Sequence, residues 1–250
     1  MKIFLAIIFF TLVTIVTFAQ SNSKLENKKI ARISYVIKSG FNLSNVLAKD
    51  DENTDRTNDK WKSGFHLGIT AEFPITETVV FETGLLLSTK GFKFNVTDTL
   101  YDEPPGYGYK YGETYQSQGE ICDSKRSLNL LYLVIPLTAK TYFNVRGIRL
   151  FGALGPYVGY GLIGKSKSKN TINGQTESQE IDVNWGSGYN DDVKRLDFGL
   201  TACIGMEIRS IQIDLSYNLG LANICADTFN GLKINNRALG LSIGYKFKSK

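Results

Sequence analysis

Residues 195–221 alternate apolar and polar positions with a period of two. Leu196, Phe198, Leu200, Ala202, Ile204, Met206 and Ile208 form one row. Arg195, Asp197, Gly199, Thr201, Cys203, Gly205 and Glu207 form the other. Such alternation predicts a strand with one face in an apolar medium. At fourteen residues, 195–208, it is far longer than the usual strand of about 5–6 residues. After Arg209-Ser210 the pattern resumes. Ile211, Ile213, Leu215, Tyr217, Leu219 and Leu221 now alternate with Gln212, Asp214, Ser216, Asn218 and Gly220, which predicts a tight hairpin. Leu239, Leu241, Ile243, Tyr245 and Phe247 repeat it against Gly240, Ser242, Gly244 and Lys246.

Five earlier segments complete the set: 32–44, 62–73, 78–92, 127–143 and 148–163. Phe65, Leu67, Ile69, Ala71 and Phe73 oppose His66, Gly68, Thr70 and Glu72 in the second. Leu133, Ile135, Leu137 and Ala139 oppose Val134, Pro136, Thr138 and Lys140 in the fourth. Short connections near 74–78, 144–147 and 209–210 alternate with long polar ones at 45–61, 93–126, 164–194 and 222–236. The predicted fold is all-β: an eight-stranded antiparallel up-and-down transmembrane β-barrel, with short periplasmic turns and long outer loops. An open sheet in lipid would leave edge amides unsatisfied at several kcal/mol each, so the sheet must close.

A soluble lipocalin-like carrier has the same strand number with its apolar row inside. Long, nearly uninterrupted apolar rows and aromatic residues near strand ends (Phe73, Phe143, Tyr245, Phe247) favour the membrane form. A lysine or arginine facing lipid at mid-depth costs about 2–4 kcal/mol. The charged row therefore faces inward. Lys38, Glu72, Glu82, Lys90, Lys140, Arg195, Asp197, Glu207, Asp214 and Lys246 are expected to fill the lumen as a charge network. An eight-stranded bore holds little besides its own side chains.

Lys2, the apolar run Ile3 to Val16 and the small residues Thr17 and Ala19 read as a secretory signal peptide, 1–19. A short periplasmic segment, 20–31, and the barrel domain, 32–250, follow. The net charge of +5 gives no footprint of a nucleic-acid partner. A mean hydropathy of −0.13 is what alternating rows produce when they cancel.

Several motifs together resemble the PorT-like outer-membrane β-barrel family of Bacteroidetes. They are Phe18-Ala19-Gln20, Ile37-Lys38-Ser39-Gly40-Phe41-Asn42-Leu43-Ser44, Tyr132-Leu133-Val134-Ile135-Pro136-Leu137 with Lys140, Gly152-Ala153-Leu154-Gly155-Pro156-Tyr157, Arg195-Leu196-Asp197-Phe198-Gly199 and Gly244-Tyr245-Lys246-Phe247. The resemblance covers the mature chain from about residue 32. It implies a porin-family barrel in the cell outer membrane, and a link to type IX secretion through the family's namesake. Val134 departs from the pattern: relatives often carry a carboxylate there, an interior charge that this chain lacks.

Other motifs carry less. Gly159 to Ser166 matches a P-loop literally, but no helical period follows, so it reads as a strand end and no nucleotide partner is expected. Asp51, Asn53, Asp55, Thr57 and Asp59 space oxygen ligands like part of an EF-hand, but Arg56 stands where the loop needs glycine. Tyr107, Tyr109, Tyr111 and Tyr115 make one long loop a candidate recognition surface. Cys122 and Cys225 fall in loops on one side and could pair; Cys203 faces inward. His66 is the sole histidine and shows no Ser-His-Asp companions. No catalytic residue, cofactor or metal is expected. The expected partners are outer-membrane lipid and, through the outer loops, other envelope proteins. The expected role is structural or interactive; a small porin-like channel or an accessory of a type IX secretion or uptake machine is the alternative.

Overall fold

The computed structural model describes residues 32–49, 60–100, 120–172, 175–188, 190–226 and 231–248. The leader (1–19), the segment after it, the acidic loop 51–59 and the tyrosines at 107–115 lie outside the described residues, as does the side chain of Cys122. The strands are β1 (Ser34–Lys49), β2 (Lys62–Pro74), β3 (Val79–Leu100), β4 (Glu120–Val145), β5 (Ile148–Ile172), β6 (Gln175–Asp182), β7 (Leu196–Ile208), β8 (Ile211–Gly220) and β9 (Lys233–Lys248).

β1 to β5 pair in sequence, β5 passes to β7, β7 to β8, β8 to β9, and β9 returns to β1. Eight antiparallel strands thus close a ring, as the alternation required. Closure removes the open sheet edges that hydrocarbon would not tolerate, leaving only local register breaks such as that between Leu131 and Tyr132. No helix among the described residues is long and apolar enough to cross a membrane.

Tight turns gather at one end. Arg146 and Gly147 have φ of 48° and 85° between the paired residues Val145 and Ile148. Two positive φ angles match the twist of a two-residue hairpin. Arg209, at φ 57°, opens the turn from β7 to β8. Ser34 and Lys248 face each other at this same end, so the chain enters and leaves the barrel beside its short turns.

The ninth strand corrects the sequence reading. β6 pairs only with the far half of β5, from Lys165↔Asp182 to Ile172↔Gln175. β3 runs on to Leu100, β4 starts at Glu120 and β5 runs on to Ile172, where the pattern predicted polar loops over 93–126 and 164–194. β9 likewise begins at Lys233, six positions before its apolar row. The physical reason is shared. Alternation is visible only while one face touches an apolar medium, but the backbone ladder needs no such face. The P-loop-like segment Gly159 to Ser166 is continuous β5 strand.

The two rows are sorted as in no soluble barrel. Phe41 is 78% exposed, Ile204 66% and Leu154 62%, whereas Lys140 and Asp197 are wholly buried. Apolar side chains cover the outside and ions the inside. In a lipocalin-like carrier these rows would be exchanged.

Where β3 leaves the apolar band, Gly91 adopts a φ of 143°. A Cβ there would collide with the Leu128 carbonyl. Gly91→Ala is expected to lower the unfolding free energy by about 1–3 kcal/mol, read from urea titration of the heat-modifiable gel band.

Candidate functional site

The barrel interior is the feature that sets this molecule's chemistry. At the short-turn end the inward rows of all eight ring strands converge on an ionic layer. Lys140 Nζ, on β4, lies 2.7 Å from Glu72 Oε1 and 2.8 Å from Glu82 Oε2. Lys38 lies 3.0 Å from Glu82 and 3.6 Å from Asp214. Lys246 bridges Glu72 at 2.6 Å and Glu207 at 3.0 Å. Arg149 closes the layer on Glu207 at 2.7 Å. Tyr142 donates to Glu72 at 2.7 Å, and Gln212 Nε2 donates to Glu207 at 2.9 Å. Lys38, Lys140, Lys246 and Arg149 thus balance Glu72, Glu82, Glu207 and Asp214. Equal numbers of opposite charges are what so narrow a bore demands, since an unpaired buried ion is costly.

Above this layer His66 links two strands. The assigned amide orientation makes Nδ1 the donor to Asn42 Oδ1 at 2.6 Å, so Nε2 accepts from the Ser242 hydroxyl at 2.9 Å. Sequence alone did not reveal these companions. A serine, a histidine and an amide in a row have the order of nucleophile, base and orienting group, but the surroundings do not suit an acyl substrate. The adjoining cavity, lined by Asn42, His66, Ser242, Cys203 and the ionic layer, has a volume of ≈ 80 Å³, room for a few water molecules.

A second ion pair lies further up. Lys90 Nζ is 2.7 Å from Asp197 Oδ2 and 4.4 Å from the centre of the Tyr157 ring. Asn236 also donates to Asp197, at 3.0 Å. Over this pair the interior turns apolar. Leu130, Tyr132, Val134 and Tyr157 from the ring pack with Val183, Val193 and Ile224, and Trp185 joins them. Val183, Trp185 and Val193 come from the connection between β6 and β7, and Ile224 from that between β8 and β9. Two long connections therefore fold inward and cap the bore. The Trp185 indole occupies the space beside Gly161, where any side chain would collide with it. Val134, the departure from the family pattern, supplies apolar surface to this cap; Lys140 finds its carboxylates on β2 and β3 instead.

Nine of the ten expected lumen charges lie in the two ionic layers. Arg195 does not. It precedes β7, its guanidinium donates to the Gly161 carbonyl at 3.0 Å, and it lies 5.6 Å from the Trp185 ring centre and 5.8 Å from that of Tyr160. Its carbonyl accepts from the Gly161 N–H at 2.7 Å, so the backbone ladder reaches Arg195, but its half-buried guanidinium bonds a carbonyl beside Trp185 instead of a carboxylate. Arg149, Tyr142 and Gln212 were overlooked, although each falls on an inward row. The cap residues carried no periodic signal.

Three solved outer-membrane proteins are similar to the chain over most of its length. OprG from Pseudomonas aeruginosa is 13% identical, over 88% of this chain and 97% of that one, with a TM-score of 0.42. Ail, the attachment invasion locus protein of Yersinia pestis, is 17% identical over 87% and 100%, with a TM-score of 0.32. Neisserial surface protein A is 14% identical over 86% and 97%, with a TM-score of 0.34. No curated protein matches significantly. Residues 18–226 match the family model of the outer membrane protein beta-barrel domain. With apolar residues outward, paired ions inward and a closed ring of strands, the chain is a member of this family and resides in the outer membrane.

Proposed function

We propose that this chain is a structural or interaction barrel of the PorT-like kind. It is exported with residues 1–19 as a cleaved leader and 20–31 as a short periplasmic segment, and it presents its long connections at the cell surface. One observation carries the reading. The interior is obstructed at three levels, by a charge-balanced layer, a second ion pair and an apolar cap, with a cavity of ≈ 80 Å³ beside the first. The ionic side chains Lys38, Glu72, Glu82, Lys90, Lys140, Asp197, Glu207, Asp214 and Lys246 serve as a sealed internal brace. The tight turns and both ends of the barrel chain then face the periplasm.

Planar-bilayer recording tests this directly. Protein refolded into phosphatidylcholine membranes should give no conductance steps under an applied voltage. Regular steps would overturn the sealed reading in favour of a small porin-like channel. Catalysis is not part of the proposal: His66 and Ser242 border a cavity of only ≈ 80 Å³. A fluorophosphonate probe should leave Ser242 unlabelled in folded protein.

A second reading has its own support. β3, β4, β5 and β6 continue as a sheet past the apolar band, giving a broad platform on which another envelope protein could seat. An accessory role in a type IX secretion or uptake machine fits that platform and the family resemblance, and the tyrosines at 107, 109, 111 and 115 would be its contact residues. Co-purification from gently solubilised membranes should recover a defined envelope partner, and none after Tyr107, Tyr109, Tyr111 and Tyr115 are changed to Ser.

A further inference from the structure

The part of β3, β4, β5 and β6 beyond the apolar band has two faces, and the outward one is basic. Its cross-strand rows follow from the register, because directly paired residues share a face. The last apolar row is Thr89–Leu131–Ile163. Next comes Asn129–Lys165–Asp182, then Lys93–Ser127–Lys167–Glu180, then Lys125–Lys169–Ser178. Lys93, Lys125, Lys165, Lys167 and Lys169 are all exposed. The carboxylates facing them on these rows are Glu180 and Asp182, both on β6. Glu180 bonds Lys165 at 2.7 Å and Lys167 at 2.6 Å. Hydrogen bonds from these two lysines lower its carboxyl to about 2, so it stays ionised. A concave surface lined by Lys93, Lys125, Lys167, Lys169, Ser127 and Glu180 runs along this face.

The height of these lysines matters most. Successive same-face positions lie about 6.6 Å apart along a strand, and barrel strands tilt about 35–45°. Measured from the last apolar-row residue of its own strand, Lys165 therefore stands about 5 Å higher, Lys93 and Lys167 about 10 Å, and Lys125 and Lys169 about 15 Å. The polar zone of a leaflet adds about 5–8 Å beyond the hydrocarbon, and lysine stems bend toward an interface. The lower lysines fall at headgroup level, directly above Leu131, Leu162 and Ile163. The surface is continuous with the lipid-facing belt and turned away from the bore.

We propose that this face is a docking site for phosphate-bearing lipid headgroups of the leaflet at the long-connection end. The acyl chains lie on Leu131, Leu162 and Ile163 while the phosphate is held by Lys93, Lys165 and Lys167, with Lys125 and Lys169 above. Charge complementarity and continuity with the apolar belt select a lipid over a soluble anion. The assignment of that leaflet to the cell exterior rests on the orientation proposed above; the binding itself does not.

Native mass spectrometry of the folded chain in zwitterionic detergent tests it with three probes: phosphatidic acid, diacylglycerol with the same tails, and a water-soluble sulfated oligosaccharide. Phosphatidic acid should be retained and diacylglycerol lost. Each lysine near such a surface is worth roughly fivefold in affinity, so Lys93→Gln, Lys165→Gln and Lys167→Gln together should weaken phosphatidic acid retention by a factor of roughly 100. The Glu180→Gln variant should strengthen it. Unchanged heat-modifiable migration would show that the variants are folded. Equal retention of the two lipids, or of phosphatidic acid by the triple variant, would overturn the site. Preference for the oligosaccharide would assign the face to a soluble polyanion and equally overturn the lipid reading.

Discussion

Changing Lys140 to Met should remove about 3–5 kcal/mol of unfolding free energy, the usual cost of stripping one partner from a buried ion cluster. Lys140 is completely buried and sits between Glu72 and Glu82. Its loss leaves four carboxylates facing three cations inside a bore with space for only a few waters. Glu72 keeps Lys246 and Tyr142 and lies at the cleft of the short-turn mouth, whereas Glu82 keeps Lys38 and borders the small internal cavity. A urea midpoint well below that of the parent, followed by gel mobility, is the expected result. The double variant Lys140→Met with Glu82→Gln restores the charge balance and should recover part of the loss. If Lys140→Met unfolds at the parent midpoint, the ionic layer contributes nothing to holding the barrel together. Arg149→Gln makes a useful contrast. Arg149 is about one third exposed and Glu207 retains Lys246 and Gln212, so its loss should cost about 1 kcal/mol.

Ile204→Arg should be nearly as damaging for the opposite reason. Ile204 lies near the middle of β7 and is two-thirds exposed, which in water would make it a tolerant position. Facing hydrocarbon, a guanidinium there costs about 2–4 kcal/mol. Refolding into phospholipid vesicles should drop accordingly, while Ile204→Leu refolds normally. A well-folded, water-soluble Ile204→Arg protein would contradict the sorting of the two rows. The pair of experiments separates inside from outside: charge removed from the bore and charge added to the belt both destabilise, a combination that a soluble barrel would not show.

The legible and illegible parts of this molecule divide along a physical line. Leu196 to Ile208 announced both faces of β7 because each residue alternates between lipid and bore. The same held for β2, where Glu72 and His66 fell inward and Ile69 and Phe73 outward. Legibility ended where lipid ended. Lys165, Lys167 and Lys169 alternate with Ser166 and Ser168, and polar against polar carries no period, so β6 and the far half of β5 passed as loop. The cap was hidden differently. Val183, Trp185, Val193 and Ile224 are scattered among Asn, Gly, Ser and Asp in the connections, and only the closed ring tells them where to go. At the start of β7, Arg195 meets the Gly161 carbonyl and the Trp185 ring instead of a carboxylate, and nothing in the alternation could show that. The inward charges were foreseeable as a set because lipid expels them, whereas their individual partners depend on register, which pairs residues as distant as Lys90 and Asp197.

The pairing of β1 with β9 has a kinetic corollary. Sixteen residue pairs, from Ser34↔Lys248 to Lys49↔Lys233, join the first strand to the last, so the seam is made of contacts between opposite ends of the barrel chain. Contacts so remote in sequence form slowly. Until they form, β1 and β9 each expose a row of amides that hydrocarbon will not tolerate. A half-zipped cylinder therefore has no comfortable resting place in the bilayer, and insertion and seam formation must advance as one concerted event.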